Sequence, residues 1–265
     1  MTGASSRANS AFAAAAERLI AAACELRDST AVLAFGPPVA YVYNPLAYAF
    51  AMHTEYLQRF AGTPKEVVFF GMNPGPWGMA QTGIPFGEVH AVREWLQIAQ
   101  PIASPNSVHP RRPVEGLNCA RSEVSGKRLW GAFHRRFRTP SRFFARHFVA
   151  NYCPLLFIEH SGRNRTPDKL PKPERSALTT ACDRHAAAVL TVLQPRYAIG
   201  VGRYAREQLD RVVAGLDAGE FTARDAWEKG KPQVVELLHP SPANPRANRG
   251  WEAELHRRMR ELGLW

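Results

Sequence analysis

Acidic residues are scarce in this chain of 265 residues: 23 Asp and Glu stand against 34 Lys and Arg. The formal net charge is +11 and the pI about 10.0. A surplus of this size points to a polyanionic partner, nucleic acid before an anionic membrane surface. Long apolar runs are missing too. None reaches the roughly 20 residues a membrane-spanning helix needs, so no membrane span is expected. The N-terminal stretch ANSAFAAAAERLIAAACELR is alanine-rich, but Glu17, Arg18, Glu25 and Arg27 break it up, and only Arg7 precedes its apolar part. It reads as an amphipathic helix rather than a signal peptide. Cysteines number four, Cys24, Cys119, Cys153 and Cys182, with no CxxC pair. That spacing argues against a zinc site, gives no support for an iron–sulfur cluster, and fits reduced, mostly buried thiols.

What is present is an ordinary globular composition, 45% hydrophobic and 22% charged, in a chain long enough for one large domain. Four short apolar runs read as buried strands: VVFF at Val67, HFVANYC at His147, YAIGV at Tyr197 and QVVELL at Gln233. Stretches with helical segments separate them, at Ser10–Leu26, Pro45–Phe60, Ala91–Gln97, Arg175–Leu193, Tyr204–Ala214 and Trp251–Leu262. This alternation predicts an α/β fold, a parallel sheet with helices on both faces.

Each strand is followed by a segment of unusual chemistry: GMNPGPWGMAQTGIPFGEV, PLLFIEHSGRNRTPDKLPKPER, GRYAREQ and HPSPANPRANRGWE. In an open parallel sheet the loops at the carboxyl ends of strands converge on one crevice. The first segment has no lysine for a phosphate-binding P-loop, and its prolines prevent a dinucleotide-binding turn. It also lacks clustered metal ligands. A rigid backbone, the amide of Asn73 and the aromatics Trp77 and Phe86 remain, which suits a flat, neutral, hydrogen-bonding ligand such as a nucleobase. Asn151 lies inside an apolar strand. It is either a structural asparagine bonded to backbone or a reader of a uracil edge, accepting from N3–H and donating to O4, a pattern that cytosine reverses. His239 follows the fourth strand at the same edge of the sheet as Asn73, with an intrinsic pKa suited to stabilising charge. Residues 111–147 carry ten Lys/Arg and two acids, Glu115 and Glu123, interleaved with Trp130, Phe133, Phe137, Phe143 and Phe144. This is a nucleic-acid surface or a solvated helix face backed by core aromatics. GVG at Gly200–Gly202 either approaches a phosphate or makes a tight turn.

The first and fourth of these segments, with NYCPLLF, SGRN and SEVSGKRLWG at Ser122, resemble the single-strand-selective monofunctional uracil-DNA glycosylases. The similarity runs from about Tyr41 to the C-terminus. It implies a three-layer α/β/α uracil-DNA glycosylase fold around a central four-stranded parallel sheet at residues 41–265, with residues 1–40 as a helical extension packed on that domain. It also implies a DNA repair enzyme that works as a monomer, without metal or cofactor. Such an enzyme removes uracil and oxidised uracils such as 5-hydroxymethyluracil from single- and double-stranded DNA and leaves an abasic site. No lysine lies in the pocket motifs to form a Schiff base, which agrees with a monofunctional reaction.

The roles implied are these. Phe86 stacks on the flipped base, Asn151 reads its N3–O4 edge, Met72 contacts it through backbone, and Gly75 leaves room near C5. Asn73 positions the attacking water and His239 donates to uracil O2. Glu88 is expected to be structural. Ser161, Gly162, Arg163, Asn164 and Arg165 would face DNA, as would Ser241, Pro242, Ala243, Asn244, Pro245 and Arg246, the second group as a wedge into the duplex. Ala243 stands where better-known members carry arginine; Arg246 or Arg249 would have to compensate. The resemblance places the protein with the DNA, at the bacterial nucleoid or in a eukaryotic nucleus. Readings kept beside it are a sister glycosylase for deaminated purines, a modified-base-binding protein with little catalysis, and a nucleotide hydrolase, which leaves the charge unexplained.

Overall fold

The computed structural model describes the backbone of residues 2–62, 64–221 and 227–265, and side chains from residue 12 onward in those spans. Four parallel strands form the centre: β2 (Val67–Gly71), β3 (His147–Asn151), β6 (Tyr197–Val201) and β7 (Gln233–Leu237), in the order β3-β2-β6-β7. Every residue of β2, β3 and β6 is buried. Side chains alternate between the two faces of a strand, so both faces of the sheet are covered by other layers. That is why these strands read in the sequence as unbroken apolar runs. The result is the three-layer α/β/α arrangement expected, and all four strands lie where the sequence puts them.

The helices are α1 (Thr2–Ala31), α2 (Pro45–Tyr48), α3 (Phe50–Phe60), α4 (Met79–Thr82), α5 (Val124–Phe137), α6 (Pro140–Phe144), α7 (Lys172–Leu193), α8 (Arg203–Asp217), α9 (Pro245–Asn248) and α10 (Trp251–Glu261). Helix α1 packs on α7 and α3, and its Leu19, Ala23 and Leu26 enter the main core. Three details depart from the sequence reading. The helix expected over Pro45–Phe60 breaks at Ala49 (φ −119°, ψ 29°) into α2 and α3. The segment at Ala91–Gln97 is a π-helical turn, Ala91–Leu96, stopped by Gln97 in the left-handed region. A second, antiparallel sheet joins β1 (Val39–Tyr43), β4 (Leu156–Glu159) and β5 (Asn164–Arg165), in the order β1-β4-β5. It turns the segment after β3 into a hairpin whose turn carries residues 160–163.

The basic, aromatic stretch resolves into α5 and α6. Trp130, Phe133, Phe143 and Phe144 are buried core residues and Phe137 packs against that core. The aromatics are thus core, with the charge on the outer face. Strand β6 and α8 meet at a tight turn. Gly200 has no room for a Cβ against the Arg206 backbone, and Gly202 sits at φ 93°. GVG is a strand-to-helix turn, and GRYAREQ does not line the central cavity described below.

Candidate active site

The parallel register aligns the strand ends. Gly71 pairs with Asn151 and Val201 with Leu237, so the loops that follow leave the sheet at one level. Between them opens a cavity of about 470 Å³, lined by Met72–Trp77, Phe86, Ser122–Ser125, Asn151, Asn164, Thr166, His239, Ser241 and Pro242. All six expected catalytic and base-binding residues line it: Met72, Asn73, Gly75, Phe86, Asn151 and His239.

The buried polar side chains of the long uncharged loop brace it. Gln81 is buried. Its Nε2 donates to the Pro76 and Pro113 carbonyls, 2.9 Å each, and its Oε1 accepts from the Glu115 and Gly116 N–H groups. Thr82 Oγ1 donates to the Gly87 carbonyl at 2.9 Å. The Glu88 carboxylate accepts from Ser122 Oγ (2.7 Å) and from the Ala91 N–H (2.9 Å), a structural role. The Met72 carbonyl accepts from the Cys153 N–H at 2.9 Å, tying the loop to the chain after β3. Polar groups that a loop buries must find partners, and this loop finds them partly in itself and partly in the segments 113–116, 122 and 153 packed around it.

Asn73 is half-buried, and its Nδ2 donates to the Leu155 carbonyl at 3.1 Å. With the amide nitrogen held there, Oδ1 is left as an acceptor. Asn151 is buried; its Nδ2 lies 3.1 Å from Met79 Sδ, while Oδ1 is buried with no partner. Such an acceptor is costly in a folded protein unless a ligand uses it. Phe86 holds φ 54°, uncommon for a residue with a side chain. The strain is held by neighbours: Trp130 Nε1 donates to the Pro85 carbonyl, and α5 approaches so closely at Gly126 that a Cβ there would overlap the Phe86 carbonyl. The Phe86 ring centre is 6.1 Å from that of His239.

His239 Nδ1 accepts from the Ser241 N–H at 3.1 Å. That bond fixes the tautomer, so the proton of the neutral ring is on Nε2. Although the residue keeps some open surface, desolvation of the ring lowers its pKa to about 4, so it is neutral at physiological pH.

The two expected DNA-facing segments flank the cavity. In the first, Ser161, Arg163 and Asn164 are exposed, whereas Gly162, within the turn, is buried at φ 82°. Arg165 is held by Glu159 (3.1 Å) and by the Lys169 carbonyl (2.6 Å). In the second, Pro242, Ala243, Pro245 and Arg246 are exposed, and Ser241 Oγ accepts from the Ala243 N–H at 3.2 Å. Asn244 caps α9 through the Arg246 N–H. Arg128, on α5, clamps this second segment from both ends through the Pro240 carbonyl and Asn248 Oδ1, both at 2.9 Å, a role that carries no mark in the sequence.

Two more residues were missed. Gly71 ends β2 where any Cβ would overlap Asn151 Oδ1 and the Phe86 ring. Glu123 lines the cavity with a carboxyl packed on Gly75 and Gly78. Its signal in the sequence was its rarity, one of two acids in a strongly basic stretch. Among the described residues no three His, Cys, Asp or Glu side chains group to hold a metal ion, and no helix is long and apolar enough to cross a membrane. All four cysteines are free thiols.

Known proteins match this chain closely. The family model for the uracil DNA glycosylase superfamily matches residues 59–261. The single-strand selective monofunctional uracil DNA glycosylase of Mus musculus is 45% identical over 249 residues, which cover 94% of this chain and 85% of that protein. The Rattus norvegicus protein of the same name is 46% identical over the same shares. The crystal structure of wild-type Pedobacter heparinus SMUG2 superposes with a TM-score of 0.62 at 15% identity, covering 91% of this chain and 97% of that one, a likeness of fold. With such identity along nearly its whole length, and with the family's motifs gathered at one sheet edge, the chain belongs to the single-strand selective monofunctional uracil-DNA glycosylases of the uracil-DNA glycosylase superfamily.

Proposed function

We propose that the protein, acting as a monomer on single- and double-stranded DNA, hydrolyses the N-glycosidic bond of uracil and of oxidised uracils such as 5-hydroxymethyluracil, leaving an abasic site with the strand uncut. The observation that carries this reading is the buried, unpartnered Oδ1 of Asn151 beside the Phe86 ring. A flipped base enters the cavity and stacks on Phe86, with the Met72 backbone beside it and the C5 edge toward Gly75. Asn151 Oδ1 accepts from uracil N3–H and its Nδ2 turns from the weak sulfur acceptor of Met79 to O4. Cytosine offers a lone pair at N3 and a donor at C4, so both contacts become repulsive and the base is rejected.

Bond cleavage leaves negative charge on the departing uracil. His239, neutral and with Nε2–H free, donates to O2 as that charge develops. A neutral donor suits the task because it is already in place and takes part without first gaining a proton. Asn73 Oδ1 accepts a hydrogen bond from water and aims its lone pair at the sugar carbon. An amide cannot remove the proton as a carboxylate would, so the rate rests on the leaving group and on placement. Ser161–Arg165 and Ser241–Arg246 hold the DNA on either side, with Ala243 at the exposed tip of the wedge.

Asn73→Ala tests the assignment. Binding to uracil-containing DNA should stay within about threefold while cleavage falls about 100-fold or more. Cleavage at the normal rate would remove Asn73 from the mechanism.

A further inference from the structure

Glu123 occupies the N-cap position of α5 yet does not cap it; its side chain makes no bond to the helix N-terminus. The carboxyl turns instead into the cavity wall and packs on Gly75 and Gly78 so tightly that a Cβ on either glycine would overlap it. Although the residue as a whole is only partly buried, Oε2 is buried and has no hydrogen-bond partner. The surroundings offer no relief. Glu88, the nearby carboxylate, is already used by Ser122 and the Ala91 N–H. His239, across the cavity, is neutral. The Arg112 and Arg121 guanidiniums lie over the Trp77 ring, 5.3 and 4.5 Å from its centre, and neither forms a salt bridge with Glu123. A titratable group left unpaired in a cleft is a candidate for contact with what the cleft binds.

On the function proposed above, the pyrimidine's O2 goes to His239 and its N3–O4 edge to Asn151. The next atom around the ring is C5, on the far side of O4 from His239. The wall not yet used is the Gly75–Gly78 loop with the Glu123 carboxyl behind it. We propose that Glu123 is a specificity-determining residue that reads the substituent on C5: ionised, it accepts a hydrogen bond from a hydroxyl there, and protonated, it donates one to a carbonyl oxygen. A methyl group at C5 offers neither, so thymine would set an apolar group against a buried carboxyl.

Both forms are available near neutrality. Desolvation first, and repulsion by Glu88 second, raise the Glu123 pKa from its usual range to about 7. The carboxyl is therefore mainly protonated at pH 6 and mainly ionised at pH 8. His239 has lost its proton well below that window; the other charged groups near the carboxyl are Glu88 and the Arg112 and Arg121 guanidiniums over Trp77.

The test uses the full chain and duplex oligonucleotides that carry one uracil, 5-hydroxymethyluracil or 5-formyluracil. kcat/KM is measured at pH 6 and pH 8 for the wild type and for Glu123→Gln, which keeps size but cannot ionise. The preference for hydroxymethyl over formyl, divided by that of the variant to cancel the bases' own ionisation, should rise about fivefold or more from pH 6 to pH 8. An equal preference in both proteins at both pH values overturns the proposal. If the variant does not fold, the wild-type ratio of hydroxymethyl to uracil decides alone: a rise with pH supports the role of Glu123 and a flat ratio overturns it. Failure to release any of the three bases would instead sink the glycosylase reading itself.

Discussion

His239 shows how one side chain is set for its task by its surroundings. The Ser241 N–H fixes which nitrogen carries the proton, and desolvation holds the ring neutral with a pKa of about 4. A cation in this place would stabilise the leaving uracil more strongly, but a positive charge without a partner in this pocket is too costly to keep. His239→Ala should therefore lower kcat by about 100-fold, with little change in KM, because the lost bond matters only as charge develops on O2. Single-turnover cleavage of a uracil oligonucleotide reads this directly; an unchanged rate would mean that the ring only shapes the pocket. Asn73, Phe86, Asn151 and His239 were legible in the sequence because they sit in long, unusual motifs. Glu123, Gly71 and Arg128 were not, because what each does depends on partners far away in sequence: the carboxyl on Gly75 and Gly78, the missing Cβ beside Asn151 and Phe86, and the guanidinium on Pro240.

At the scale of elements, the site is a consequence of strand register. Gly71 and Asn151 are paired residues on β2 and β3, and the absence of a side chain on the first makes room for the functional groups around the second. Gly71→Ala should lower glycosylase activity by at least about tenfold while costing ~1–3 kcal/mol of stability, since Asn151 and Phe86 must both shift to admit the methyl. Activity and urea unfolding measured on the same preparation check this; wild-type activity would show that the pocket tolerates the crowding. The four parallel strands were legible because strands buried on both faces are short apolar runs. The antiparallel sheet was not: β5 has two residues, and β4 follows β3 so closely that it reads as loop. The aromatics of residues 130–144 pointed equally to a DNA surface and to a core. Packing decides for the core, and through Gly126 and Trp130 that core also sets Phe86 in place.

For the whole molecule, part of the positive charge is neutralised in ion pairs and part is not. Away from the cavity many arginines are neutralised, as in Arg203–Glu207, Arg206–Asp210 and Arg135–Glu252. Among the described residues, Arg163, Arg246 and Arg249, in or next to the two expected DNA-facing segments, form no salt bridge, and neither do Arg138, Arg142 and Arg196 elsewhere. Burial also leaves four histidines neutral: His53, His147 and His239 with pKa values near 4, and His185 near 3. Their folded-state values lie below the unfolded value of about 6.5. The unfolded chain therefore takes up protons first as the pH drops, and the stability they contribute, complete above about pH 6.5, is lost progressively toward pH 4. The melting temperature should fall steadily across that range, and a flat profile from pH 7 to pH 4 would contradict it. The central claim is that the cavity at the carboxyl edge of the sheet excises uracil without cutting DNA. The most direct measurement is a gel assay on labelled oligonucleotides bearing one uracil, single-stranded and in duplex, with and without alkali after the enzyme. Strand breaks only after alkali are the predicted result; intact strands with alkali, or breaks without it, would contradict the account.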